Sequence, residues 1–372
     1  MKYRKLAGED VSVLGFGCMR FPLTDKDDPK SIDEEKSTAM INHALDSGVN
    51  YFDTAYVYHG GASEGFLGRA LGERRKDVKI ATKLPTWLLK CEEDFDRFLN
   101  EQLERLGTDY IDFYLIHALD RELVENAVKP YRLIEHMNRA KAEGKIKHIG
   151  FSFHDDINVF KEIVDMNPAW EFCQIQFNYI NTSYQAGLEG LKYAYGKGLN
   201  VIIMEPLLGG KLANPAPKVR EILTADNAER PPVEWAFDYL WSFEEVSITL
   251  SGMSFMDNVR DNIRYADKAE VGMMSDKELK TLEAARSEYE KTALVPCTGC
   301  AYCMPCPFGL DIPGTFEIYN QCATRGVIAA GESYAELSVK GDKCRKCRKC
   351  ESVCPQGLKI TELMEKIHRE LG

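Results

Sequence analysis

The sequence predicts an α/β fold: a closed barrel of eight strand-helix units, followed by a small cysteine-rich domain of helices and loops. Three observations carry this reading. Short apolar runs alternate with amphipathic helical windows over residues 1–290, no glycine-rich nucleotide turn follows the first run, and eight of the twelve cysteines fall in two compact sets within the last 76 residues. A chain of 372 residues exceeds one ordinary core. A single barrel of this kind takes about 250 residues or more, which leaves residues 291–372 for the second domain.

The strand-like runs number eight: 11–17, 50–53, 78–82, 110–116, 146–151, 172–177, 201–204 and 246–250. Between them lie windows with apolar residues at three- and four-residue intervals, such as 33–47, 64–71, 91–106, 233–241 and 258–266. Repeated βα units of this kind surround a parallel sheet, and eight of them close into a (β/α)8 TIM barrel. An open doubly wound sheet would carry G-x-G-x-x-G after its first strand, and Leu14-Gly15-Phe16-Gly17-Cys18 does not continue that way. The charged, helix-prone stretch 270–293 suits a last barrel helix leading into the tail.

In the tail, Cys344, Cys347, Cys350 and Cys354 form C-x2-C-x2-C-x3-C ahead of Pro355, the thiolate spacing that holds a 4Fe-4S cluster in bacterial ferredoxins. Cys297, Cys300, Cys303 and Cys306 repeat the theme with a final gap of two, ahead of Pro307. Disulfide scaffolds are usually small and secreted, and the start Met1-Lys2-Tyr3-Arg4 has no apolar leader behind it, so a reducing, cytoplasmic setting is expected. Zinc needs only four ligands, usually as two separated pairs, and each run offers more thiolates than one such pair. Two 4Fe-4S clusters are therefore expected. If the last cysteine of each run crosses to the other cluster, one takes Cys297, Cys300, Cys303 and Cys354, and the other Cys344, Cys347, Cys350 and Cys306.

Asp53, Tyr58 just beyond it, Lys83 and His117 stand at the ends of strand-like runs, where barrels of this class gather their chemistry. Phe52-Asp53-Thr54-Ala55-Tyr56-Val57-Tyr58, Ile80-Ala81-Thr82-Lys83 and Asp112-Phe113-Tyr114-Leu115-Ile116-His117 resemble, in order and spacing, the motifs of the aldo-keto reductase family. With its tail, the chain looks like the branch of that family fused to a ferredoxin-type domain. The resemblance implies hydride transfer between a nicotinamide cofactor and a small carbonyl or alcohol substrate, with Asp53, Tyr58, Lys83 and His117 as catalytic tetrad. It also implies cofactor contacts from Ser152 and Gln174 to the carboxamide, from Met204 to the ring, from Gly209 and Gly210 to the pyrophosphate, and from Ser254 and Asn262 to the adenosine end. Met253 and Asn258 fall where the family often has the cations that pair with a 2′-phosphate, so the cofactor is NADP or NAD, with Arg260 or Arg264 as substitute cations.

A formal charge of −11 and pI near 5.3 argue against a nucleic-acid partner, and no apolar stretch approaches the ~20 residues that span a bilayer. Lys343, Arg345, Lys346, Arg348 and Lys349 crowd the second cysteine run. They offset thiolate charge or dock an acidic ferredoxin- or flavodoxin-type electron carrier. The clusters act as an electron relay or as staples for a tail too small to fold easily without them. The alternative to an enzyme is an iron-sulfur electron-transfer protein whose barrel docks redox partners and no longer reduces carbonyls.

Overall fold

The computed structural model describes residues 1–225 and 227–372. Two short strands, β1 (Tyr3–Leu6) and β2 (Glu9–Ser12), form an antiparallel hairpin. Eight further strands follow: β3 (Leu14–Gly17), β4 (Tyr51–Asp53), β5 (Lys79–Leu84), β6 (Ile111–Leu119), β7 (Ile146–Phe153), β8 (Phe172–Gln176), β9 (Asn200–Met204) and β10 (Val246–Ser251). These pair in parallel in sequence order, and β10 closes on β3 to complete a barrel. The expected TIM-barrel class is therefore present. One run differs: 11–17 is not a single strand, because the Ser12 hydroxyl donates to the Leu14 carbonyl at 2.7 Å and turns the chain between hairpin and barrel.

The chain forms two compact units, one of residues 1–206 and 236–274, the other of 207–235 and 275–372. Within the first, the barrel interior is filled from the end where the strands begin. Tyr51, Ala81, Phe113, Leu115, Phe172, Ile202 and Ile248 pack together there, and Leu6 and Val11 of the hairpin join them. Side chains alternate across a strand with period two, so the residues two positions onward also face inward. From Tyr51, Ala81, Leu115, Phe172 and Ile202 that step leads to Asp53, Lys83, His117, Gln174 and Met204. An apolar plug at one end thus dictates a polar layer above it, at the strand C-termini.

The second unit holds the helices Pro217–Thr224, Asp276–Thr292, Ile312–Arg325, Val327–Ala335 and Ile360–Leu371. A Ser275–Glu278 capping box starts the second of these. Its core is Val295, Leu310, Ile312, Phe316, Tyr319, Tyr334, Ile360, Met364 and Ile367, against which six of the clustered cysteines pack. No helix among the described residues is long and apolar enough to cross a membrane.

Candidate active site and iron-sulfur module

The polar layer brings Asp53, Tyr58, Lys83 and His117 together. The Lys83 ammonium, fully buried, donates to Asp53 Oδ1 at 2.6 Å and to the Thr54 carbonyl at 2.7 Å. It lies 5.1 Å from the centre of the Tyr58 ring, which meets the His117 ring edge-on at 6.3 Å. Burial pushes the Asp53 carboxyl above the usual carboxylate range, while the charge and hydrogen bond of Lys83 pull it back. For His117, burial, then Lys83, then His154 hold the imidazole well below its ordinary value, so it is neutral at pH 7. Among the described residues, Asp53 Oδ2 and His117 Nδ1 are buried without a hydrogen-bond partner.

The backbone around His117 is bent on purpose. The β6–β7 register shifts between Ile116 and Leu119, and Ala118 takes a left-handed φ of 57°. Its N–H donates to the Ser152 hydroxyl at 2.8 Å, which holds the bulge. The Trp87 ring, on the short turn Thr86–Leu88, lies 5.0 Å from that of His117.

Of the expected cofactor contacts, Ser152 and Gln174 face each other across β7 and β8. The Gln174 amide N–H points at the Met204 sulfur at 3.5 Å, leaving its buried carbonyl oxygen without a partner among the described residues. An acceptor of that kind suits a carboxamide N–H, so the residues present fit a nicotinamide. Ser254 donates to the Arg20 carbonyl at 2.9 Å, and Asn262 to the Ser251 hydroxyl at 3.0 Å. Arg260 and Arg264 pair with Asp257 and Asp261 one helical turn away, at 3.4 and 3.1 Å. Gly209 and Gly210 belong to the second compact unit.

In that unit, Cys297, Cys300, Cys303 and Cys354 line one recess, together with Ile312, Phe316 and Ile360. The fourth cysteine of the second run thus stands with the first three of the first run. Burial first, and then Cys300, Cys297 and Cys354, push the Cys303 thiol up to about 12. Cys350 is raised to about 11, by burial and in part by Cys344 and Cys347 nearby. A thiol raised like that of Cys303 becomes a thiolate beside strong positive charge, which the iron of an iron-sulfur cluster supplies. Among the described residues no three His, Cys, Asp or Glu converge as on one metal ion.

A buried network behind Lys83 has little local signature in sequence. Glu64 accepts from Thr82 at 2.6 Å and Gln102 at 2.7 Å, Gln102 also donates to the Lys83 carbonyl at 3.1 Å, and Tyr114 donates to Gln102 at 2.7 Å. The available signal was a carboxylate heading the apolar stripe Glu64, Leu67, Gly68, Leu71.

The aldo/keto reductase family model matches residues 13–286, and a 4Fe-4S dicluster domain model matches 296–358. The chain is 28% identical over 301 residues to L-galactose dehydrogenase of Arabidopsis thaliana, covering 74% of this chain and 91% of that protein. It is 34% identical over 154 residues to a probable aldo-keto reductase 1 of Glycine max, covering 39% and 42%. Among solved structures it resembles the holo form of aldo-keto reductase AKR11C1 from Bacillus halodurans, with TM-score 0.64 and 26% identity over 77% of this chain and 96% of that one. The chain belongs to the aldo-keto reductase family, as an oxidoreductase whose barrel is followed by an iron-sulfur domain.

Proposed function

We propose that the barrel reduces a small carbonyl substrate, or oxidises the corresponding alcohol, with NADP or NAD as the hydride partner. The observation that carries this is the buried Lys83 ammonium, 2.6 Å from Asp53 and 5.1 Å from the Tyr58 ring centre, with His117 beside that ring. A bound nicotinamide supplies or accepts the hydride. As charge develops on the carbonyl oxygen, Tyr58 gives it a proton. A free tyrosine, pKa about 10, is a sluggish acid at neutral pH, and the Lys83 charge stabilises the tyrosinate left behind. Asp53 orients Lys83, while neutral His117 donates one N–H to the carbonyl oxygen. Ser152 and Gln174 orient the carboxamide, Met204 packs on the ring, Gly209 and Gly210 approach the pyrophosphate, and Ser254 and Asn262 take the adenosine end.

In the same reading the tail holds two 4Fe-4S clusters, one on Cys297, Cys300, Cys303 and Cys354, the other on Cys344, Cys347, Cys350 and Cys306. The four cysteines lining one recess support that crossing. The clusters exchange electrons with an acidic carrier of the ferredoxin or flavodoxin type. Purified without air and assayed with NADPH, NADH and 4-nitrobenzaldehyde, Tyr58→Phe is expected to lose roughly 10²–10⁴-fold in kcat/KM while its cluster absorbance stays at wild-type intensity. Turnover equal to wild type would remove Tyr58 from the chemistry.

A further inference from the structure

The loop that follows β9 is built onto the first cysteine run. Leu208, Gly209 and Gly210 are all left-handed, with φ of 49°, 68° and 96°. A Cβ on Gly209 would lie 1.8 Å from the Thr298 carbonyl oxygen and 2.8 Å from its carbon, so the two backbones are in direct contact. At Gly210 a Cβ would meet nothing within 4 Å.

Thr298 is buried and lines the recess with Cys297, Cys300, Cys303 and Cys354. Its hydroxyl has no hydrogen-bond partner among the described residues, so no side-chain bond holds it in place. The next residue of the loop, Lys211, lies 3.6 Å from Glu317 on the helix Ile312–Arg325. Two positions of the loop, 209 and 211, therefore contact the first cysteine run and the helix that follows it.

We propose that Gly209 and Thr298 form a backbone lock that makes this loop part of the first cluster's cradle. The loop's conformation is then set by that cluster and is indifferent to the cluster on Cys344, Cys347 and Cys350.

The test uses full-length protein purified without air. Gly209→Ala is expected to lose about half its iron, one cluster of two, whereas Gly210→Ala, also at a left-handed position but without the collision, keeps its full complement. Full iron and an unchanged visible spectrum in Gly209→Ala would overturn the lock. Should Gly209→Ala not accumulate, amide hydrogen exchange of residues 207–212 decides independently. Exchange is expected to quicken at least roughly tenfold in Cys300→Ser and to stay at the wild-type rate in Cys347→Ser. Equal exchange in the two variants would overturn it as well. Neither readout involves nicotinamide, so a wild-type protein that binds no NADPH or NADH would defeat the proposed function while leaving the lock to stand or fall on iron and exchange.

Discussion

Two histidines are kept neutral by the barrel around them. His117 is held well below the imidazole range by burial, Lys83 and His154, and burial brings His154 down to about 4 although Gln185 hydrogen-bonds it. The unfolded chain protonates these rings near 6.5, so below that pH it binds more protons than the folded one and stability falls as pH falls. The His154 contribution to that loss runs from about 6.5 down to about 4, where both states are protonated. Glu171 acts in another window. Burial pushes it up, but hydrogen bonds from His148, Lys141 and the Ile149 N–H bring it to about 2. Its stabilisation is present above its unfolded value of 4.5 and is lost between 4.5 and about 2. Melting temperature measured against pH should therefore decline less in His154→Gln than in wild type between pH 6.5 and 4, with parallel curves below pH 4. Curves parallel throughout would mean that His154 titrates in the fold as it does in water.

Among the elements, the helix Ser63–Leu71, β5, the helix Asp94–Leu106 and β6 meet at one buried carboxylate. Burial raises the Glu64 pKa, and Thr82, Gln102 and Arg105 pull it back. Gln102→Leu removes a donor to Glu64 and to the Lys83 carbonyl and leaves Tyr114 without its acceptor. Uncompensated buried polar groups cost on the order of 2–4 kcal/mol, so the first-unit melting temperature should drop by roughly 5–10 °C. An unchanged midpoint would show that the network is dispensable. Its absence from the sequence reading has a physical cause, since hydrogen bonds between residues 12 to 38 positions apart leave no periodicity. The strands were legible because each is buried on both faces and reads as a continuous apolar run, and Asp53, Lys83 and His117 because such runs end in a polar residue. The hairpin break at Ser12 was hidden, because one side-chain bond decides it. So was the grouping of 207–235 with the cysteine-rich unit, where Gly209 lies against Thr298, almost ninety residues later.

For the whole molecule, charge is unevenly spread. The chain carries a formal −11, yet Lys343, Arg345, Lys346, Arg348 and Lys349 are all exposed around the second cysteine run, where Cys347 is itself exposed. Lys343 and Lys346 pair with Asp342 and Glu365 at 2.8 and 2.7 Å, and Arg348 lies 3.9 Å from Glu351. Arg345 and Lys349 make no ion pair within 4.0 Å among the described residues. The charges of Lys343, Lys346 and Arg348 are thus already met by carboxylates. Arg345 and Lys349 are the cations of this patch that the proposed acidic carrier would meet. At physiological salt the Debye length is about 8 Å, so a docked acidic carrier feels this local patch more than the distant net charge. Reduction of the clusters by a reduced acidic ferredoxin, followed by stopped flow at low protein concentration, should therefore slow about tenfold between roughly 0.05 and 0.5 M salt. Arg345→Glu combined with Lys349→Glu should start slower and lose most of that salt dependence while retaining wild-type iron. A wild-type rate indifferent to salt, or a variant as fast as wild type, would place electron entry elsewhere on the protein.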